Sequence, residues 1–132
     1  MAETQLEELV QAALQARLHG YAPYSQFLVG AALRTTSGRI FHGCNVENAS
    51  YGLAICAERN AITSMVAAGE SAIAAMAITC AGGGSPCGAC RQVMVEFGSD
   101  FEVTLVDAED PSKREQCSMR DLLPRAFKLK SS

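Results

Sequence analysis

From Ala72 to Ile78 the chain passes seven residues without a polar side chain, and the run extends to Cys80. A strand that is apolar at every successive position has no solvent face, so both faces of the sheet holding it must be covered. The flanking segments supply the covers. Residues 54–68 are alanine-rich and helical in pattern, stopping at Gly69, and residues 87–97 suit another helix. Near the start, Leu6, Leu9, Val10, Ala13 and Leu14 form one stripe of an amphipathic helix over residues 4–18. Thr4 and Glu7 read as its capping box, and Gly20 as its end. Two strand-like runs, 27–35 and 39–46, are joined by Thr36-Ser37-Gly38, the signal of a hairpin. Residues 101–106 read as a further strand and 118–123 as a short helical turn. Strands alternating with helices need crossover connections and partly parallel pairing. The sequence therefore predicts a three-layer α/β sandwich around a mixed sheet, as one domain over residues 1–132, with the hairpin as an antiparallel edge.

Charge narrows the partners. Eleven Lys and Arg against 14 Asp and Glu give a net charge of −3, and the one basic run is Lys128-Leu129-Lys130. No stripe follows a phosphate backbone, so polynucleotide binding is disfavoured. Met1-Ala2-Glu3-Thr4 lacks the basic, then apolar, pattern of a secretory leader, and the apolar run is too short to span a bilayer. The expectation is a cytoplasmic protein whose six cysteines stay reduced, available as ligands, catalysts or core.

Cys87 and Cys90 are three residues apart, so the start of a helix puts both sulfurs on one face. Cys56 stands 31 residues upstream, at the start of the preceding helix. Two helix N-termini can thus aim three thiolates at one point. Zinc favours four tetrahedral ligands, and three from the protein leave a place for water, which is the pattern of a catalytic site. Three thiolates around Zn2+ leave one net negative charge, which weakens the metal as an acid. Helix N-termini contribute about half a positive charge each, and Arg59, three residues after Cys56, can hydrogen-bond the sulfurs and withdraw charge. Glu58 is close enough to address the water without ligating, the position of a general acid and base.

Cys56-Ala57-Glu58 followed by Pro86-Cys87-Gly88-Ala89-Cys90 resembles the signature of the zinc-dependent nucleobase and nucleoside deaminases, whose mechanism is an established general pattern. Tyr21-Ala22-Pro23-Tyr24-Ser25, Phe27, residues 29–32, 43–48, 85–93, Leu122-Leu123-Pro124 and Phe127 narrow the resemblance to the small homotetrameric cytidine deaminases. It implies an about five-stranded sheet, one zinc ion per subunit, and active sites near subunit interfaces. It also implies hydrolytic deamination of cytidine and deoxycytidine in pyrimidine salvage, with water attacking C4 at the metal and Glu58 shuttling protons. By the same resemblance the Ala57 N–H binds the ring carbonyl, and the Ser85 carbonyl accepts from the amino group. Pro86 favours this by holding Ser85 extended. Asn45 and Glu47 would read a sugar hydroxyl; their two-residue spacing on a strand puts both on one face. Phe27 would pack against the pyrimidine, and Phe127 would reach a neighbouring subunit's pocket.

Residue type alone leaves other readings open. Asn45 and Glu47 also suit the closing of a loop, Phe27 a core position, and Phe127 a local anchor. Cys44, Cys80 and Cys117 read as small buried apolar groups, and Gly82-Gly83-Gly84 as a flexible connection. His42 reads as a surface position, and His19 as a partner of the helix dipole. A structural zinc module closed by Cys44 or Cys80 competes, as does a redox Cys87-Gly88-Ala89-Cys90 pair. A deaminase of a nucleoside analogue such as blasticidin S is the nearer rival, though it lacks the Asn45-Val46-Glu47-Asn48 context. Leu28 stands where many relatives have proline, and the tail beyond Phe127 is short.

Overall fold

The computed structural model describes residues 2–129; Met1 and residues 130–132, including Lys130 of the basic tail, lie outside the described residues. The elements run α1 (Glu3–Arg17), β1 (Gly30–Thr35), β2 (Ile40–Cys44), a 3-10 turn (Tyr51–Leu53), α2 (Ala57–Ala67), β3 (Ile73–Cys80), α3 (Gly88–Glu96), β4 (Glu102–Asp107), β5 (Arg114–Ser118) and α4 (Met119–Leu122). Strand order is β2-β1-β3-β4-β5. Only the β3–β4 pair is parallel; the other neighbours are antiparallel.

The apolar run occupies the centre, as its composition requires. Leu9, Val10 and Ala13 of α1 pack with Ala32, Ala75, Ala77 and Val106 on one face of the sheet. On the other face Ile62 and Met65 of α2 and Met94 of α3 pack with Leu33, Met76 and Ile78. The three layers and mixed sheet follow, with the hairpin at one edge. Among the described residues no helix is long and apolar enough to cross a membrane.

Boundaries differ from the expected ones for local reasons. Helix α1 begins at Glu3, and the Ala2 N–H donates to Gln5 Oε1 at 3.1 Å, so the Thr4–Glu7 box does not form. With the helix starting earlier, Ala2 is the N-cap and Gln5, not Glu7, accepts from the N-cap N–H. Phe27, Leu28 and Val29 precede β1 rather than belong to it, because Gln26 turns the chain at φ +59°. Residues 54–56 are not helical: Ile55 exchanges backbone hydrogen bonds with Val46, both at 2.9 Å. The fifth strand, Arg114–Ser118, has no apolar run, since it is an edge strand with much of its surface in solvent. Gly82-Gly83-Gly84 is a built turn rather than a loose connection. Its N–H groups donate to Asp107 Oδ1, Cys80 O and Cys80 Sγ, and Gly82 and Gly83 have φ of +82° and +71°.

Helix α2 lies directly on β2 through Gly43. A Cβ there would stand 2.5 Å from Ala61 N and 2.8 Å from Ala57 O. Asn60 Nδ2 adds a hydrogen bond to Cys44 O at 2.8 Å. This contact sets where the first turn of α2, with Cys56 and Glu58, begins. Gly43→Ala must displace the helix, and a loss of about 1–3 kcal/mol is expected. Urea unfolding checks it: the midpoint falls while the slope stays constant.

Candidate metal centre and reaction pocket

The cysteines converge as their spacing suggests. Cys56 is the N-cap of α2 and Cys87 the N-cap of α3, both with extended backbone, and Cys90 lies in the first turn of α3. The three Sγ atoms lie within 4.8 Å of one another, with 3.9 Å between Cys56 and Cys87 and 3.3 Å between Cys87 and Cys90. Cys90 N–H donates to Cys87 Sγ, which steadies the second ligand from the third. Among the described residues no further His, Cys, Asp or Glu joins this group. Cys44 and Cys80 therefore do not complete a closed four-ligand site. Cys80 is buried as expected, while Cys44 and Cys117 are half-buried.

Electrostatics favour a thiolate at Cys56. Hydrogen bonding from the Cys90 thiol and the Arg59 guanidinium holds Cys56 down to about 5. Cys90, which donates to Cys56 and is buried, is pushed up. Arg59 Nη2 lies 3.6 Å from Cys56 Sγ and 3.5 Å from Ala54 O. It is the countercharge expected from the sequence. Arg59→Gln is expected to lower turnover at pH 7 about tenfold while bound zinc changes little. Turnover and zinc per chain measured together decide this; unaltered turnover would refute it.

Glu58 is only 4% exposed, and among the described residues its Oε1 has no hydrogen-bond partner. Burial, reinforced by the Cys56 thiolate, pushes its carboxyl up to about 7. An unpaired carboxylate oxygen buried beside three sulfurs is costly unless something meets it. A trio of thiol donors with such a neighbour fits zinc, with Cys56, Cys87 and Cys90 as ligands and Glu58 left free.

A cavity of about 290 Å3 opens beside the sulfurs. Phe27, Asn45, Glu47, Ala57, Glu58 and Ser85 all line it. Phe27 is half exposed there rather than core. As the first residue of α2, Ala57 has an N–H with no intrahelical acceptor. Phe127 is not part of this cavity. It lies beside Gln92, whose Nε2 donates to Phe127 O at 3.1 Å, and it is 67% exposed.

The loop-closing role expected as one reading of Asn45 and Glu47 is visible in their hydrogen bonds. Both face the cavity, yet each also fastens a loop. Asn45 Oδ1 accepts from Val29 N–H at 3.0 Å and Nδ2 donates to Phe27 O at 2.8 Å. Glu47 Oε1 accepts from the N–H groups of Tyr24 and Ser25. Sequence reasoning missed Arg91. Its guanidinium donates to Pro86 O at 2.8 Å, Leu122 O at 2.7 Å and Ser85 Oγ at 2.7 Å, tying the Ser85-Pro86 turn to the end of α4. An arginine on a short helix reads as solvated surface, and only its place directly after Cys90 hinted otherwise.

Residues 3–105 match the family model of the cytidine and deoxycytidylate deaminase zinc-binding region. The chain belongs to this deaminase family. Deaminases resemble it along nearly their whole length. A probable cytidine deaminase of Dictyostelium discoideum is 43% identical over 130 residues, covering 96% of this chain and 86% of that one. The cytidine deaminase of Sporosarcina psychrophila is 42% identical over 125 residues, or 92% and 90% of the two chains. The crystal structure of cytidine deaminase from Burkholderia pseudomallei is 50% identical, with a TM-score of 0.87 over 96% of this chain and 100% of that one. Such a deaminase needs zinc, and the three-cysteine cluster is where this chain offers to hold it.

Proposed function

We propose that the chain catalyses hydrolytic deamination of cytidine and deoxycytidine to uridine and deoxyuridine, releasing ammonia. The observation that carries this reading is the Glu58 Oε1, buried at the three-sulfur cluster without a hydrogen-bond partner among the described residues, on a residue that lines a cavity of about 290 Å3. The cytidine deaminases among its relatives support the choice of substrate.

When bound by Cys56, Cys87 and Cys90, one zinc per subunit supplies Lewis acidity toward water near neutral pH. The rest falls to the chain. Phe27 packs against the pyrimidine ring, the Ala57 N–H binds the ring carbonyl, and the Ser85 carbonyl accepts from the amino group. Arg91 keeps that carbonyl in place through its bonds to Ser85 and Pro86. Glu58 takes a proton from the attacking water and delivers it to ring N3, then moves the proton of the new C4 hydroxyl to the amino group, which leaves as ammonia while the C4 carbonyl forms. A carboxyl poised near neutrality suits both directions of transfer. Asn45 and Glu47 meet the sugar. Arg59 offsets the negative charge of the thiolates.

The domain is read as one catalytic unit over residues 1–132. A homotetramer is supported by Phe127, exposed and away from its own pocket, and by the exposed Tyr24 and Tyr51 beside Glu47. A cytoplasmic setting suits a site that needs three reduced thiols, and pyrimidine salvage is the service inferred there.

Ammonia release from cytidine, deoxycytidine and cytosine by the zinc-loaded protein tests the reading. Release from both nucleosides but not from the free base is expected. Equal rates on cytosine would refute sugar reading, and no release from any of the three would refute deamination.

A further inference from the structure

Glu47 does not stand free to meet a ligand. Its Oε1 accepts from Tyr24 N–H at 3.0 Å and from Ser25 N–H at 3.1 Å, and its Oε2 accepts from the Ser25 hydroxyl. The same hydroxyl oxygen accepts from Phe27 N–H at 3.1 Å. The Ser25 hydroxyl therefore links the Glu47 carboxylate to the backbone of Phe27, two residues whose side chains line the cavity.

Counting donors and acceptors shows what is left. An ionised carboxylate offers about four acceptor positions, and a side-chain amide offers two N–H donors. Three positions on Glu47 are filled, which leaves one on Oε2. One Asn45 donor is given to Phe27 O, which leaves one. A single hydroxyl, which both donates and accepts, matches this remainder.

We propose that Ser25 is a positioning residue: by donating to Glu47 and accepting from Phe27 it orients the carboxylate to accept from one sugar hydroxyl of the nucleoside. The proposal rests on the deaminase reading of this cavity. Two further features support it. Gln26, between Ser25 and Phe27, holds φ +59°, a left-handed geometry that a non-glycine residue keeps only when its surroundings fix it. The bonds from Ser25 also hold the Glu47 carboxyl below the usual range, so it stays anionic and purely an acceptor.

Steady-state kinetics of Ser25→Ala and Ser25→Thr on cytidine and on 2′,3′-dideoxycytidine, which lacks both secondary hydroxyls, provide the test. For Ser25→Ala the KM for cytidine should rise about tenfold with kcat nearly unchanged, the scale of one charge-assisted hydrogen bond. Its kcat/KM on dideoxycytidine should change by less than about twofold, since the hydroxyl that Glu47 serves is already gone. Ser25→Thr, which keeps a hydroxyl, should restore the cytidine KM. An unchanged cytidine KM in Ser25→Ala, or equal losses on both nucleosides, would overturn the proposal while leaving deamination standing. A wild-type enzyme that treats the two nucleosides alike, or deaminates neither, overturns the sugar-reading assignment and this proposal together.

Discussion

Glutamine in place of Glu58 is expected to cut turnover of cytidine by about 10³-fold, within the 10²–10⁴ range for losing a positioned proton-transfer group, while the three-sulfur site still fills with zinc. The substitution keeps the shape of the side chain and removes its basicity. Glu58 is not one of the three residues proposed to hold the metal, so metal content should not follow the rate. The carboxylate is buried, and among the described residues its Oε1 has no hydrogen-bond partner that could replace it as a proton carrier. Zinc per chain and kcat, measured on the same preparation, separate the two roles. A variant that keeps more than about a tenth of the wild-type rate would remove Glu58 from proton transfer. A variant that loses its zinc would make Glu58 a structural neighbour of the metal instead.

The other large effect concerns a ligand. Cys87→Ala leaves two sulfurs, one at the head of α2 and one in the first turn of α3. The N-cap of α3 also loses its acceptor, since the Cys87 sulfur takes the Cys90 N–H. Zinc affinity is expected to fall by about 10²-fold or more, and ammonia release with it. Metal that binds only the folded chain raises the melting temperature in a concentration-dependent way. Wild-type protein should therefore melt higher as zinc is added, and the variant should not respond over the same range. Undiminished ammonia release by the Cys87→Ala protein would show that this cysteine is no ligand of the working site.

How much of this was legible beforehand depends on the range of the interaction. The central strand announced itself because the segment 73–78 is apolar on both faces, a property written into consecutive residues. The metal trio was legible for a similar reason. Cys87 and Cys90 sit a helical turn apart, and Cys56 begins the helix before, so local geometry alone carried most of the convergence. The fifth strand, Arg114–Ser118, gave no such sign, because an edge strand of Arg, Glu, Gln, Cys and Ser has no periodic burial to betray it. Bonds between side chain and backbone across the chain were hidden as well. Asn45 reaches Phe27 and Val29, Glu47 reaches Tyr24 and Ser25, and Arg91 reaches Leu122, all between segments far apart in sequence. Such contacts are set by which loops the fold brings together, not by the residues next to each donor. Phe127 shows the same limit from the other side. Its assignment came from family likeness, and within one chain it does not reach the cavity.

A chelator titration, with bound zinc and the rate of ammonia release from cytidine followed on one sample, tests the reaction centre most directly. The two should fall together toward zero as metal leaves Cys56, Cys87 and Cys90, and return together when zinc is restored. A metal-free chain that goes on releasing ammonia from cytidine at the full rate would contradict it.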